Sequence, residues 1–233
     1  MTKYTTLLFD ADGTLLDFHA AEKQALINTF QKYQIPLTPQ LKEAYEKINT
    51  SLWKQFEDGI IDKKTVVYTR FVQLFQEFRI NADGIAFEDD YQKELGTGHD
   101  LLPYAKDVIQ TLSQDYQLYI VTNGVSQTQY SRMKESGLDI YFKDIFVSED
   151  TGYQKPMKEY FDYCFQRIKN LNLNKTLIIG DSLSSDIQGG INVGIDTCWY
   201  NPDHLENTKQ LPITYTISDL RELYTILTEK HES

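Results

Sequence analysis

Cysteine is scarce, and long apolar runs are missing. The 233-residue chain holds two cysteines, Cys164 and Cys198, far apart and in no zinc-binding or redox spacing. That excludes thiolate chemistry, and Cys164 within "YFDYCFQRI" reads as buried packing in a reduced, cytoplasmic protein. No stretch approaches the length needed to span a bilayer, and the apolar run before Asp10 is too short for a secretory signal. Repeats and low-complexity tracts are lacking as well. Bases are outnumbered, 23 against 34 acids, for a formal net charge of −11. Such a surface repels polyanions, which argues against nucleic-acid polymers and membranes as partners. A small phosphorylated metabolite stays open, because one cation and one lysine make a local positive well.

What is there suffices for a globular core: 41% hydrophobic and 24% charged residues. The chain changes character twice. From Ala20 to about Leu95 it reads as four helices. Leu26, Phe30 and Tyr33 recur at helical spacing. Thr38 caps a helix with Pro39 at its first position and Gly59 as its stop, Asp62 caps a third, and a weaker fourth runs near 84–95. Outside that block, the short apolar runs "YTTLLF", "YQLYIV", "DIFVS", "TLIIG" and "DTCWY" alternate with amphipathic stretches at 103–113, 126–136, 156–171 and 184–193. Strands alternating with helices predict a parallel sheet covered on both faces. The fold class is therefore α/β, a Rossmann-like parallel-sheet core over 1–17 and 98–233, with an inserted all-helical four-helix bundle over 18–97.

Ligands of open α/β sheets bind beyond the carboxyl ends of the strands. The first strand ends in Asp10, with Asp12 two positions on. The second ends in Thr122-Asn123-Gly124, the third is followed by Lys155-Pro156, and the fourth ends in Gly180-Asp181 with Asp186 after it. Four separated loops thus bring carboxylates, a hydroxyl and an ammonium to one rim. Like charges held close need a cation or a proton between them. An all-oxygen cluster without histidine or cysteine favours Mg²⁺ over zinc. Gly13 would permit the sharp exit of the backbone. Taken singly, each residue has a plainer reading: Asp12-Gly13 as a turn, Thr122 or Ser184 with Asp186 as helix starts, Lys155 as a solvated loop lysine.

"DADGTLL" resembles the first motif of the haloacid dehalogenase-like (HAD) hydrolase superfamily, and "VTNG", "QKP" and "GDSLSSD" follow in that superfamily's order. The helical block occupies the position of its cap. The resemblance implies that Asp10 is the nucleophile forming an aspartyl-phosphate and Asp12 the acid and base. It implies Mg²⁺ held by Asp10, Asp181 and the backbone carbonyl of Asp12, with Asp186 orienting its waters or Lys155. Thr122 with the Asn123 and Gly124 backbone would hold phosphoryl oxygens, and Lys155 would balance charge in the transition state. Asp12 argues against the dehalogenase branch, since halide departs without a proton. The cap lysines Lys54 and Lys63 look like wet helix faces, which gives the imine-forming phosphonatase branch no support.

"DFHAAE", "NTSLWKQFEDGII" and "SDIQGGINVGIDTCWYNP" look like the pyrimidine 5′-nucleotidase subgroup, which implies a nucleoside monophosphate as the small-molecule partner and a monomer or homodimer. In the cap, which would close over the phosphate, Trp53 heads the candidates for base contact, followed by Phe56 and Arg70, although Trp53 and Phe56, three apart, sit at ordinary core spacing. His19 reads as exposed, and Tyr130 and Met133 as packing. The competing readings are a sugar-phosphate phosphatase or mutase, a phospho-accepting receiver, and an inactive HAD-like binding scaffold. The receiver is disfavoured by the helical block, and the scaffold by an intact motif set.

Overall fold

Six short segments pair side by side in parallel, and their apolar alternation decides which core each residue enters. The computed structural model describes residues 3–228, so the first two and last five positions of the core range assigned above lie outside the described residues. The strands are β1 (Thr6–Phe9), β2 (Gln117–Thr122), β3 (Asp144–Val147), β4 (Thr176–Gly180), β5 (Asp196–Tyr200) and β6 (Tyr215–Ile217), in the spatial order β3-β2-β1-β4-β5-β6. β1 is central, in register Leu8↔Tyr119 with β2 and Leu8↔Ile178 with β4. Successive strand residues face opposite sides. Leu7 and Phe9 therefore join Leu118, Ile120, Leu177 and Ile179 in one core. Leu8 joins Tyr119, Val121 and Ile178 in the other. A sheet buried on both faces needs helices on both faces.

The helices are α1 (Phe18–Lys32), α2 (Pro39–Glu57), α3 (Lys63–Glu77), α4 (Gly84–Leu95), α5 (Ala105–Leu112), α6 (Ser126–Ser136), α7 (Ser148–Thr151), α8 (Lys158–Arg167), α9 (Gln188–Val193) and α10 (Glu222–Thr228). The chain forms two compact units, Met1–Phe18 with His99–Ser233, and His19–Gly98. An α/β core thus carries an inserted helical unit. No described helix is long and apolar enough to cross a membrane. β6, α7 and α10 went unpredicted, and the stretch foreseen as one helix over 184–193 begins as a π turn, Leu183–Ile187.

The helical unit follows its local signals. Thr38 accepts a hydrogen bond from the Leu41 N–H at 3.2 Å, and Asp62 one from the Thr65 N–H at 2.7 Å. Its core is aromatic: Phe71 and Phe87 have ring centroids 4.6 Å apart, and Phe30 and Phe87 4.9 Å. Arg70 corrects the expectation of a base contact. It is buried, and its guanidinium grips Glu88 at 2.7 and 2.6 Å while donating to Asn49 at 2.9 Å. A desolvated guanidinium needs such partners, so Arg70 serves the bundle interior. Phe56 is buried with Leu52 and Val66, and Trp53 packs edge-on against it at 5.6 Å. Lys63 is no wet lysine: it is buried, its ammonium 5.5 Å from the Phe56 ring. Lys54 and His19 are exposed.

Candidate active site

Strand ends and the turns after them deliver every polar group of the site. β1 runs out at Asp10, whose N–H donates to the Ile179 carbonyl at 2.9 Å, so the ladder itself fixes this carboxylate beside β4. The chain then turns at Gly13, with φ of +75°. A Cβ there would lie 2.5 Å from Asp181 Oδ2, so both conformation and space require glycine. From β4, Gly180 leads into Asp181, and the π turn returns Asp186 so that its Oδ2 accepts the Ser182 N–H at 3.1 Å. Trp199 on β5 donates its indole N–H to the Asp181 carbonyl at 2.8 Å, fixing that backbone from the neighbouring strand.

Lys155 is the hub. It is 1% exposed, and its ammonium donates to Asp10 Oδ1 at 2.6 Å, Asp186 Oδ1 at 2.6 Å and the Val121 carbonyl at 2.7 Å. All three of its hydrogens are used. Asn123 places it: the side-chain amide donates to the Lys155 carbonyl and accepts from the Lys155 N–H, each at 2.9 Å. The Asn123 side chain is therefore engaged with the lysine loop, leaving only its backbone for a phosphoryl group. Thr122 is buried at the end of β2.

Asp10, Asp181 and Asp186 each offer an oxygen within 4.8 Å of the others. Asp10 and Asp186 share one ammonium with Asp181 beside them, and burial together with the surplus negative charge acts on Asp10 and Asp181. Burial holds the Asp10 carboxyl well above the usual carboxylate range; Lys155 opposes this, and Asp186 and Asp181 add to it. Burial and then the Asp186 charge push Asp181 up to about 7, against the opposing charge of Lys155. Burial works against a charged Lys155, yet Asp10 and Asp186 outweigh it and raise its pKa. A crowded all-oxygen cluster with excess negative charge fits a hard divalent cation. The Asp12 carboxylate stands outside this cluster.

Asp12 instead faces α6. Its Oδ1 is ion-paired to Arg132, and its Oδ2 accepts from Gln129 Nε2 at 2.8 Å. Gln129 also donates to Thr122 Oγ1 at 2.7 Å, and a Cβ at Gly124 would lie 2.4 Å from the Gln129 side chain. The sequence reading missed both residues, since polar side chains on a helix read as solvated. The available signal was their i, i+3 spacing immediately after a strand end. Met133 is buried as expected. Tyr130 is not: it is exposed and donates to Asp150 at 2.8 Å, a hydroxyl keeping its partner at the surface.

A parallel sheet whose strand ends gather paired carboxylates, a threonine and a buried lysine defines a phosphate-handling hydrolase core. The chain belongs to the haloacid dehalogenase-like hydrolase family, whose pattern matches residues 4–194. It is 53% identical over 227 residues to the HAD-hydrolase YfnB of Bacillus subtilis, covering 97% of each chain. The magnesium-bound crystal structure of YfnB, which reveals interdomain movement in that protein, superposes with a TM-score of 0.92 over 97% of this chain and 100% of that one. Pyrimidine 5′-nucleotidase PynA of Streptococcus pneumoniae is 42% identical over 221 residues, 94% of this chain and 93% of that protein. Pyrimidine 5′-nucleotidase YjjG of Escherichia coli is 31% identical over 225 residues, 97% of this chain and 98% of that protein.

Proposed function

We propose that this HAD phosphatase is a Mg²⁺-dependent pyrimidine 5′-nucleotidase that works through an aspartyl-phosphate on Asp10. The observation that carries the reading is the meeting of Asp10, Asp181 and Asp186 within 4.8 Å of one another, with the Lys155 ammonium on Asp10 and Asp186. Asp10, Asp181 and the Asp12 carbonyl would hold Mg²⁺ with Asp186 beside them, and the ion would supply the positive charge that lets two anions approach.

The residues divide the work. Asp10, anionic once the cluster's surplus charge is met, bonds through one oxygen to phosphorus while the ester P–O bond breaks. Asp12 gives its proton to the departing alcohol oxygen. A water oxygen then bonds to phosphorus, the Asp10–phosphorus bond breaks, and the water's proton goes to Asp12, so that ester and water yield alcohol and phosphate. Thr122 and the Asn123 and Gly124 backbone bind phosphoryl oxygens, and Lys155 steadies the charge on the transferring group. The pyrimidine preference is supported by the full-length likeness to PynA and YjjG.

A panel of phosphate esters at neutral pH with Mg²⁺ tests the reading. Pyrimidine nucleoside 5′-monophosphates are expected to be hydrolysed best. Turnover confined to sugar phosphates would overturn the nucleotidase assignment and leave the phosphatase chemistry standing. Activity surviving thorough chelation would remove the metal from it.

A further inference from the structure

Two buried side chains of α6 remain outside the roles given so far. Gln129 is 1% exposed and Arg132 fully buried. Three positions apart, they share one helix face. Burying a guanidinium is strongly unfavourable unless a charge answers it, and the carboxylate that answers Arg132 is Asp12. Gln129 takes the second oxygen of the same carboxylate and reaches Thr122 with the same amide nitrogen. Arg132 is braced in turn: it donates to Gln129 Oε1 at 3.4 Å, and its guanidinium carbon lies 5.7 Å from the centroid of the Phe18 ring. The Asp12 side chain is thus gripped at both oxygens from inside, while a quarter of it stays open to solvent.

We infer that Gln129 and Arg132 are positioning residues for the proton transfers of Asp12, holding its carboxyl group at the angle from which it meets the departing alcohol and then the attacking water. This rests on the reading of Asp12 as acid and base. A group that must give and take a proton at one point gains from fixed orientation, because misplacement of catalytic groups by about 1 Å costs ~10²-fold in rate. The open quarter of the side chain is the part that can face the substrate. Gly124 belongs to the same device, since any side chain there would displace Gln129.

The test compares two esters. A nitrophenolate leaves as an anion without help, whereas the alkoxide of an alkyl phosphate needs a proton. Arg132→Met, Arg132→Lys and Gln129→Leu are compared with the wild-type enzyme on p-nitrophenyl phosphate and on whichever alkyl phosphate the wild type hydrolyses fastest. In Arg132→Met, kcat/KM on the alkyl ester should fall ~10²-fold and on the aryl ester by no more than about fivefold. Its kcat on the aryl ester should fall as well, behind a burst of nitrophenolate, because hydrolysis of the aspartyl-phosphate still needs Asp12. Arg132→Lys should recover part of the alkyl activity. If Arg132→Met fails to fold, Gln129→Leu carries the same comparison. A parallel fall in kcat/KM on both esters, or no fall in kcat/KM on either, overturns the inference. Asp12→Asn separates the two failures: if it shows no difference between the esters, the acid–base reading of Asp12 fails. If it shows the difference and the α6 variants do not, the positioning role alone fails.

Discussion

Removing the Lys155 ammonium exposes how the site is held together. In Lys155→Met, a side chain of similar length takes the same buried place, but Asp10 and Asp186 lose the cation that each meets at 2.6 Å, and the Val121 carbonyl loses its donor at 2.7 Å. Breaking a buried ion pair by deleting one partner costs about 3–5 kcal/mol. Proton uptake by the orphaned acids limits the loss, and Asp10 is already inclined that way by burial. For a chain of this size, 1 kcal/mol corresponds to roughly 2–4 °C, so the melting temperature in EDTA should drop by about 6–20 °C. Saturating Mg²⁺ should restore part of the loss, because a divalent ion answers the same carboxylates. Calorimetry or dye-monitored melting at neutral pH, with and without Mg²⁺, reads both effects. A Lys155→Met protein melting within about 2 °C of wild type in EDTA would refute the hub, for that is how an exposed lysine behaves.

Asp10→Asn should do the opposite to stability: it relieves the surplus negative charge, so the metal-free melting temperature should equal or exceed that of the wild type while turnover falls ~10³-fold or more. In the helical unit, Arg70→Met should destabilise by about 3–5 kcal/mol by stranding Glu88, whereas Arg70→Met with Glu88→Leu should recover most of it, as chemical denaturation would register. Asp90, held down to about 2 by hydrogen bonds from Lys32 and Lys93, gives a pH signature. Its folded pKa lies below the unfolded one, so its contribution is complete above the ordinary carboxylate range and disappears as pH falls towards 2. Because the pair is near the surface the effect is below ~1 kcal/mol, and the difference between wild type and Asp90→Asn should close in acid melts.

The meeting of these side chains at one rim was legible because its signals are local: strand ends are apolar runs that stop, Asp10, Thr122 and Asp181 stand at or just beyond those stops, and Lys155 follows β3 across α7. The caps of α2 and α3 were legible for the same reason, since Thr38 and Asp62 act within three residues of themselves. What escaped depends on partners distant in sequence. Gln129 and Arg132 are polar residues on an inward face, and the Asp12 carboxylate that meets both lies 117 and 120 positions away. Arg70 was read as a candidate base contact because its partner Glu88 sits 18 residues on, in another helix. β6 has three residues and pairs with β5 alone, too little periodicity to mark a strand.

The proposed hydrolysis turns on a covalent bond between Asp10 and phosphorus. The direct measurement mixes the Mg²⁺-loaded protein with a hydrolysed ester, quenches in acid during turnover, and sequences the peptides by mass spectrometry. The prediction is one added phosphoryl group on the Asp10 side chain, more abundant in Asp12→Asn when the ester is p-nitrophenyl phosphate, whose leaving group needs no proton while water attack is slowed. Phosphate released while Asp10 is never modified, or a phosphoryl group found on another residue, would contradict it.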